Sequence, residues 1–473
     1  MSKRTLLMFG VIAAGCIAML PQALAAPKSD GELTVEIVDG ATGKPIAARM
    51  HLFAGRAPAP TTGVRRGVKL NIPGSAEFGG HLYIDGKAEL PLRAGIYSFE
   101  LEAGPEYLTQ TGQFQLDRHA EDTKRVEMKR VTDLAKEGWY GGDVDIRRRT
   151  ADLPLILRGE GLHFAPASEA KEATASSKKD AELPPQLELE DHFIARTPYA
   201  WDLPVWLASG KLDGIELINY HSLRNGVVDN EKDGRPRDKS FFPGPRGNGR
   251  WAETVYYHVL NCGLQIPPVA GSGSGFNDSP VGTNRVYVFL GNEYSQEAWW
   301  DGLKAGRVFV TNGPLLRPMV EGRPPGCTFA IDSSGSLTLE IGLNLATSVP
   351  VEYLQIIKNG AVEAEVRLAE FKNRKGRLPP VHFDNSGWFL VRAVTSNPKM
   401  LQFASSGPYY VQKASEPHVS RSSVKFFLDW IDANSARIRK QTDLDDAKRE
   451  SLLAGQQQAR KYFERLQATA NAD

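Results

Sequence analysis

The segment that decides the fold begins at residue 137 and reads Glu137-Gly138-Trp139-Tyr140-Gly141-Gly142-Asp143-Val144-Asp145-Ile146-Arg147. Apolar residues alternate in it with Asp143 and Asp145, which predicts a short strand that carries two carboxylates. From this point on, apolar strands alternate with helical stretches, for example a helix over 201–209 and a strand over 214–218. This alternation is typical of an α/β unit, which we place at residues 137–317 with a solvated, disordered loop near 166–182.

Strand patterns dominate on both sides of this unit. In residues 31–130, Leu33, Val35 and Ile37 alternate with polar residues, which predicts a first β-sandwich. Residues 318–415 return to short strands and predict a second sandwich. Residues 420–468 show apolar positions at helical spacing, which predicts a C-terminal helical hairpin.

The N-terminus has the features of a secretory signal peptide over residues 1–25. Lys3 and Arg4 precede an apolar stretch, and Ala23-Leu24-Ala25 offers a small-x-small cleavage site. We therefore expect a secreted or periplasmic protein. The less favoured alternative is a lipoprotein cleaved before Cys16. No later apolar run reaches the ~18 residues that a transmembrane helix needs.

Composition excludes some classes of partner. With 57 Lys and Arg against 56 Asp and Glu, the net charge is +1, so bulk charge does not indicate a nucleic-acid partner. After removal of the signal peptide, two cysteines remain, Cys262 and Cys327. They could pair in an oxidising compartment, but the sequence does not fix their separation. The oligomeric state also stays open.

Two resemblances to known families extend this interpretation. Thr34-Val35-Glu36-Ile37-Val38-Asp39, followed by Thr42-Gly43-Lys44-Pro45-Ile46, resembles the regulatory, transthyretin-like domain of carboxypeptidases. The segment from Glu137 resembles the opening strand of the polymerase-and-histidinol-phosphatase (PHP) superfamily, in the branch of carbaryl-hydrolase-like metallohydrolases. Residues 157–166, 201–207, 260–264 and 306–314 are similar to the same family. The resemblance implies a PHP-like (β/α) barrel flanked by the two β-sandwiches and followed by the helical hairpin.

The metal ligands of that family are incomplete in this chain. The opening strand of the family reads Gly-Asp-Leu-His-x-His, whereas Asp145 and Arg147 stand at the two histidine positions. Arg147 cannot bind a metal, because its guanidinium stays protonated. A later Asp-x-His pair is replaced by the short side chains of residues 271–275. Arg147 is expected to form a salt bridge with Asp145 or Glu160, or to anchor an anionic ligand.

Several candidates for a metal site persist. They are Asp143, Asp145, Glu160, His163 and His221. If they converge, they suit Zn²⁺, Mn²⁺ or Fe²⁺, and no metal is expected if the site is degenerate. Taken singly, each of these residues is more often structural than a ligand. His258 lies on the helix predicted around Trp251 and is either structural or directed toward the barrel mouth.

Two functions follow as expectations. By resemblance, the chain is a metal-dependent hydrolase of ester, phosphoester or carbamate bonds whose eroded site has lost or altered its activity. The alternative is a non-catalytic extracellular protein that binds a glycan or another protein, with a small molecule as a further candidate ligand. Aromatic residues that would then serve as binding surfaces are Trp139, Trp201, Trp299 and Trp300.

Overall fold

The computed structural model describes residues 29–55, 67–78, 80–166, 183–189, 191–232, 234–332, 335–414 and 416–473. The predicted signal peptide, Cys16 and almost all of the predicted loop at 166–182 lie outside the described residues. Strands account for 38% of the chain and helices for 22%. None of the helices in the described ranges is long and apolar enough to cross a bilayer.

In the first part of the chain, the described residues form strands and no helix. They are β1 (Gly31–Asp39), β2 (Ala47–Ala54), β3 (Ala76–Phe78), β4 (His81–Asp85), β5 (Lys87–Leu92), β6 (Gly95–Glu102), β7 (Gln110–Leu116) and β8 (Glu121–Met128). One sheet has the order β5-β1-β8 and the other has the order β3-β4-β2-β6-β7. Leu33, Val35 and Ile37 are buried in the core between the two sheets, as their alternation predicts.

The next part mixes helices and strands. Its elements are β9 (Trp139–Gly142), a 3₁₀ turn (Thr150–Asp152), α1 (Leu153–Glu160), β10 (Gln186–Leu189), β11 (His192–Ala195), α2 (Leu203–Ser209), β12 (Gly214–Ile218), β13 (Ser222–Leu223), β14 (Gly226–Val227), α3 (Gly247–Asn261), β15 (Pro268–Ala270), β16 (Arg285–Phe289), α4 (Gln296–Lys304) and β17 (Val308–Thr311). Four of these strands form a sheet of order β10-β11-β12-β15, in which β12 runs parallel to both neighbours. β13 and β14 form a hairpin.

Strands dominate again after residue 314. They are β18 (Leu315–Val320), β19 (Thr328–Ile331), β20 (Leu337–Leu339), β21 (Ile341–Ala346), β22 (Val351–Lys358), β23 (Ala361–Arg367), β24 (Val381–Phe383), β25 (Gly387–Thr395), β26 (Phe403–Ser406) and β27 (Tyr409–Lys413), with the short helix α5 (Leu368–Asn373) between them. The C-terminal helices are α6 (Arg421–Lys440) and α7 (Asp446–Ala468). Their aromatic faces meet where Phe427 stacks on Phe463, with ring centroids 5.1 Å apart.

A nine-stranded sheet replaces the barrel that the sequence predicts. Seven of its strands follow the order β19-β27-β25-β26-β17-β16-β9, and β22 and β23 extend it from β25. β16 pairs antiparallel with both β9 and β17, and β17 pairs antiparallel with β26. A (β/α) barrel requires eight parallel strands that close on themselves. The prediction of a (β/α) barrel is therefore wrong, and the sheet runs across residue 317.

Candidate functional site

Asp143 lies just after β9 and is completely buried. Its Oδ1 accepts hydrogen bonds from the backbone N–H groups of Ser272 (3.0 Å) and Asp145 (3.3 Å). Its Oδ2 accepts from the Ser272 hydroxyl (2.5 Å) and from the N–H of Gly282 (2.7 Å). Burial raises the pKa of Asp143 to about 7, although the hydrogen bonds from Ser272 and Gly282 act in the opposite direction. All the donors that reach this carboxylate are protein groups.

Arg196, which follows β11, pairs with the second carboxylate. Its Nε and Nη2 donate to the two oxygens of Asp145 at 2.8 and 3.1 Å, and both side chains are buried. Glu216 on β12 is fully buried nearby, and neither of its carboxylate oxygens has a hydrogen-bond partner among the described residues. Burial raises the pKa of Glu216 well above its usual value, and the charge of Asp145 adds to this rise. Both effects favour the uncharged carboxyl.

Arg147 does not take part in the ion pairs expected of it. Arg196 holds Asp145, and Arg49 holds Glu160 at 2.7 Å. The Arg147 side chain is only partly buried, and its pKa is lowered by burial and by the neighbouring charge of Arg196. The charge of Asp145 is thus balanced by a residue 51 positions further along the chain.

Glu160 belongs to a different cluster from Asp143. It ends helix α1, and its Oε1 accepts from Arg49 Nε (2.7 Å) and from the Tyr83 hydroxyl (2.8 Å). Its Oε2 lies 3.8 Å from Nη2 of Arg285. Arg49 and Tyr83 come from strands β2 and β4, so this carboxylate joins the first β-sandwich to the rest of the protein.

The two predicted histidine ligands lie in separate surroundings. His163 packs against the rings of Tyr140 and Tyr294, with centroids 4.8 and 5.5 Å away, and its buried Nδ1 has no partner among the described residues. The Nδ1 of His221 lies 2.9 Å from the Tyr199 hydroxyl. Burial lowers the pKa of both imidazoles, to about 4 for His221. Neither ring has a contact with the predicted carboxylate ligands.

His258 connects helices α3 and α6 and does not lie among the other candidate residues. Its Nδ1 lies 2.9 Å from the hydroxyl of Ser423 on α6, and its ring stacks on Phe426 at 3.9 Å. Burial, assisted by the charge of Arg235, lowers its pKa to about 4. The packing of an uncharged ring between α3 and α6 is a structural role.

The metallohydrolase hypothesis is therefore corrected. Within the ranges described above, no group of three or more His, Cys, Asp and Glu side chains is arranged to hold a metal ion. Ser272 and Gly282 donate hydrogen bonds to Asp143, and the guanidinium of Arg196 holds Asp145. Glu160, His163 and His221 lie in other clusters. The five candidates are thus not brought together, and a zinc, manganese or iron site stays a prediction.

The aromatic residues proposed as binding surfaces lie mostly inside the protein. Trp139, Trp299 and Trp300 are buried in the core. Trp201 is partly buried, and the guanidinium of Arg437 covers its ring at 5.1 Å. These side chains stabilise the fold by packing and leave no flat aromatic platform for a ligand.

A cavity of about 170 Å³ lies where three parts of the chain meet. The first sandwich contributes side chains from β2 and β6, the middle part contributes α1, β16 and the β13–β14 turn, and the last strands contribute the loops beside β17 and β26. The polar side chains of its lining include those of Arg49, Glu102, Glu160, Arg224, Arg285 and Gln402. Gly282 also lies in the wall, and its N–H connects the cavity to Asp143.

Charged side chains of alternating sign run along this cavity. We call them the ion-pair chain, and in spatial order they are Glu100, Arg224, Glu102, Arg49, Glu160 and Arg285. Arg224 contacts Glu100 at 3.0 Å and Glu102 at 2.8 Å. Arg49 then pairs with both Glu102 and Glu160. Three guanidinium groups are thus balanced by three carboxylates.

Two histidines beside the ion-pair chain remain uncharged. The rings of His51 and His81 contact each other at a tilted angle, with centroids 4.3 Å apart. Burial lowers the pKa of His51 to about 4 and that of His81 to about 2, and the charge of Arg49 lowers both further. These imidazoles therefore add no positive charge near the cavity at neutral pH.

The sequence does not reveal this site, although one signal was present. Arg49 is buried within the apolar strand β2, and it stands directly opposite Glu102 of β6 in the sheet register. A buried charge in a strand needs a partner of opposite sign. Finding that partner requires the pairing of β2 with β6, which a single sequence does not give.

Comparisons with known proteins do not assign a family. No protein-family model matches the chain, and no curated protein matches it, so the PHP resemblance stays a prediction. Three solved structures show partial similarity. A minor pilin, GBS52, of Streptococcus agalactiae is 27% identical over 22% of this chain and 46% of its own length, with a TM-score of 0.17. This chain therefore spans about half of that pilin.

The other two solved structures are more distant. Fibronectin(III)-like modules of Clostridium thermocellum CbhA share 11% identity over 21% of this chain and 99% of their own, with a TM-score of 0.15. A Bacteroides uniformis protein whose structure was described as carbohydrate-binding shares 6% identity over 81% of this chain and 99% of its own, with a TM-score of 0.16. Scores this low do not indicate a common overall fold.

Proposed function

We propose that this protein is an exported, non-catalytic binding protein that takes part of a glycan into the cavity at the ion-pair chain. The observation that carries the proposal is the convergence of three parts of the chain on one polar, open cavity. Ligand sites commonly lie where structural units meet and contain a few fixed polar groups. Export is proposed from the signal-peptide features of residues 1–25.

The charged groups of the cavity support binding rather than catalysis. Glu160 contacts Arg49, Tyr83 and Arg285, so its carboxylate is held by three donors. A general base must be free to accept a proton from a substrate. Glu102 is likewise paired with two guanidinium groups. Nη1 of Arg224, which also lines the cavity, is buried without a hydrogen-bond partner among the described residues and is a donor that a ligand hydroxyl can meet.

The size of the cavity favours a small ligand over a protein. Its volume of about 170 Å³ is close to the ~150 Å³ of a cavity that takes up one benzene ring. One sugar ring is of this size. A protein partner would need an interface of roughly 800 Å² on each side, which a cavity of these dimensions does not supply.

Titration calorimetry with a panel of monosaccharides and oligosaccharides tests this proposal. Ser348 and Thr109 both line the cavity and are both exposed. We expect Ser348→Trp and Thr109→Trp each to abolish the binding of any sugar that wild type binds. The matched control is Asn344→Trp, an exposed position on β21 outside the lining, which should bind as wild type does. Absence of binding across the panel, or full binding by both cavity variants, would refute the proposal.

A further inference from the structure

We infer that the cavity binds a sugar unit that carries one carboxylate, a uronic acid, with Arg224 as its cationic partner, an inference that rests on the proposed glycan-binding function. The first observation behind it is the charge of the lining. Among the described residues, the lining contains three guanidinium groups and two carboxylates, which are Arg49, Arg224, Arg285, Glu102 and Glu160. One positive charge of the lining is therefore left to meet an acidic ligand.

Arg224 uses a single nitrogen for both of its ion pairs. Its Nη2 donates to Glu100 at 3.0 Å and to Glu102 at 2.8 Å. Nη1 of the same guanidinium is buried and has no hydrogen-bond partner among the residues that the structure describes. A buried N–H group without an acceptor costs free energy, and the cost is larger in a charged group. A ligand oxygen at Nη1 would remove this cost, which is why we assign the ligand carboxylate to Arg224.

The position of Arg224 in the fold lets a ligand reach it. Arg224 lies in the turn between β13 and β14, directly after Leu223, which also lines the cavity. Its side chain is 28% exposed, whereas those of Arg49 and Arg285 are 7% and 6% exposed. Rotation about its side-chain bonds can therefore turn Nη1 toward an entering ligand, while the other two guanidinium groups stay in place.

Glu100 is a weak competitor for the charge of Arg224. It contacts Arg224 from outside the described lining of the cavity. Burial and the neighbouring charge of Glu102 raise the pKa of Glu100, so its ionised form is disfavoured where it lies. Because Glu100 contacts Nη2, a ligand carboxylate at Nη1 does not have to displace it.

Arg285 offers a second donor to the ligand. Its Nε and Nη1 donate to the backbone carbonyl groups of Gly282 and Glu160 at 2.6 and 2.9 Å. Its Nη2 lies 3.8 Å from Oε2 of Glu160, which is too long for a hydrogen bond. This nitrogen can therefore donate to a ligand oxygen.

The remaining charges of the lining suit the hydroxyl groups of the same sugar ring. Glu102 and Glu160 are paired with Arg49, and a carboxylate accepts more than one hydrogen bond, so each can also accept from a ring hydroxyl. A dianionic ligand such as a phosphate ester would exceed the single surplus charge and would be repelled by these two carboxylates. One carboxylate together with several hydroxyls is the chemistry of a uronic acid.

The test compares matched acidic and neutral sugars by calorimetry at a pH of about 7, where carboxylates are ionised. The probes are D-glucuronic acid with D-glucose, and D-galacturonic acid with D-galactose. We expect a uronic acid to bind at least about tenfold more tightly than its hexose, because a hydrogen bond between charged groups is stronger than one between neutral groups. An increase from roughly 50 to 500 mM NaCl should weaken uronic-acid binding by about threefold or more and change hexose binding by less than about twofold.

Two variants change the charge beside the ligand in opposite directions. Arg224→Gln removes the guanidinium, and we expect uronic-acid affinity to fall about tenfold while hexose affinity changes less than about threefold. Glu100→Gln removes a competing carboxylate outside the lining and should tighten uronic-acid binding by about threefold. The matched controls Arg93→Gln and Glu89→Gln, at exposed positions outside the lining, should change neither affinity. The quantity compared is the ratio of the two affinities, because partial unfolding of a variant lowers both by the same factor.

The outcomes separate this inference from the proposed function. If a hexose binds at least as tightly as its uronic acid and Ser348→Trp abolishes that binding, glycan binding stands and the inference of acidic selectivity fails. A ratio of affinities that Arg224→Gln and Glu100→Gln both leave unchanged overturns the role of Arg224. If neither the hexoses nor the uronic acids bind, both the inference and the proposed function fail. Tighter binding of the uronic acid, with the ratio lowered by Arg224→Gln and raised by Glu100→Gln, supports both.

Discussion

Replacing Arg196 by methionine should destabilise the protein strongly, whereas the same change at Arg147 should not. Arg196 donates two hydrogen bonds to Asp145, which is 2% exposed, and its Nη1 also donates to two backbone carbonyl groups. A hydrogen bond to a charged group contributes about 1.5–3 kcal/mol, and breaking a buried ion pair costs about 3–5 kcal/mol. We therefore expect Arg196→Met to lower the free energy of unfolding by about 3–5 kcal/mol.

Arg147→Met is the matched control. It removes the same functional group two residues from Asp145, but from a partly buried side chain without an ion pair to Asp145 or Glu160. Its expected cost is less than about 1 kcal/mol. The double variant Arg196→Met with Asp145→Asn should recover part of the loss, because no buried charge is then left alone.

The free energies are measured by urea unfolding, which is monitored by tryptophan fluorescence and by far-ultraviolet circular dichroism. The free energies are comparable only where both probes give the same transition, which is the test for two-state unfolding. Equal losses for Arg147→Met and Arg196→Met would refute the assignment of the charge partner. A loss below about 1 kcal/mol for Arg196→Met would show that the pair contributes no net stability.

Three further predictions concern other parts of the fold. The raised pKa of Glu216 means that the native state keeps a proton that the unfolded state releases, so the free energy of unfolding falls as pH rises above about 4.5. Glu216→Gln should reduce this slope by about 1.4 kcal/mol per pH unit in urea titrations at several pH values. Glu188→Gln, on the exposed side of β10, should leave the slope unchanged. Ser295→Ala should cost about 1 kcal/mol in the same urea assay, because the Ser295 hydroxyl caps α4, and Ser295→Asp should restore most of it. Cys327 should react with a thiol reagent in the native state much faster than the buried Cys262, and a reducing agent should leave the melting temperature unchanged; a reductant-dependent melting temperature would indicate a disulfide.

Local structure was largely predictable because it depends on neighbours in sequence. The alternation of Leu33, Val35 and Ile37 correctly gave a strand with one buried face. The helix predicted around Trp251 was confirmed as α3, since helical spacing is a short-range effect. For α7, the capping residue is Asp445, whose side chain accepts from the N–H of Lys448.

The arrangement of the sheets was not predictable from the same patterns. Strands β16 and β17 are apolar on both faces, and such runs are typical of a parallel sheet between helices. They nevertheless pair antiparallel with each other, and β9 and β26 pair antiparallel with their outer edges. Partners this distant in sequence are not encoded in periodicity. The barrel prediction failed for this reason.

The same limit applies to the candidate site. Sequence reasoning selected Asp143, Asp145 and Glu160 by resemblance, and the first two do lie together. The charge partners of Asp145 and Glu160 are Arg196 and Arg49, which lie in segments without any distinguishing motif. Which cation balances which carboxylate depends on strand register, so only the three-dimensional structure reveals it.

The pairing of β17 with β26 sets a condition on how a newly made chain can fold. Phe309 lies opposite Ser406, so this contact joins residues about 100 positions apart, and contacts of long sequence separation form slowly. As the chain emerges from the ribosome, β16 and β17 can form their antiparallel pair early. The outer edge of β17 stays unpaired until residues 403–406 have been synthesised. The sequence at that edge, Val308 to Thr311, is completely apolar apart from its last residue and is buried in the finished protein. An unpaired apolar edge of this kind can pair with the strands of other chains and so promote aggregation. Newly synthesised protein should therefore depend most on chaperones in the interval between the completion of β17 and the arrival of β26.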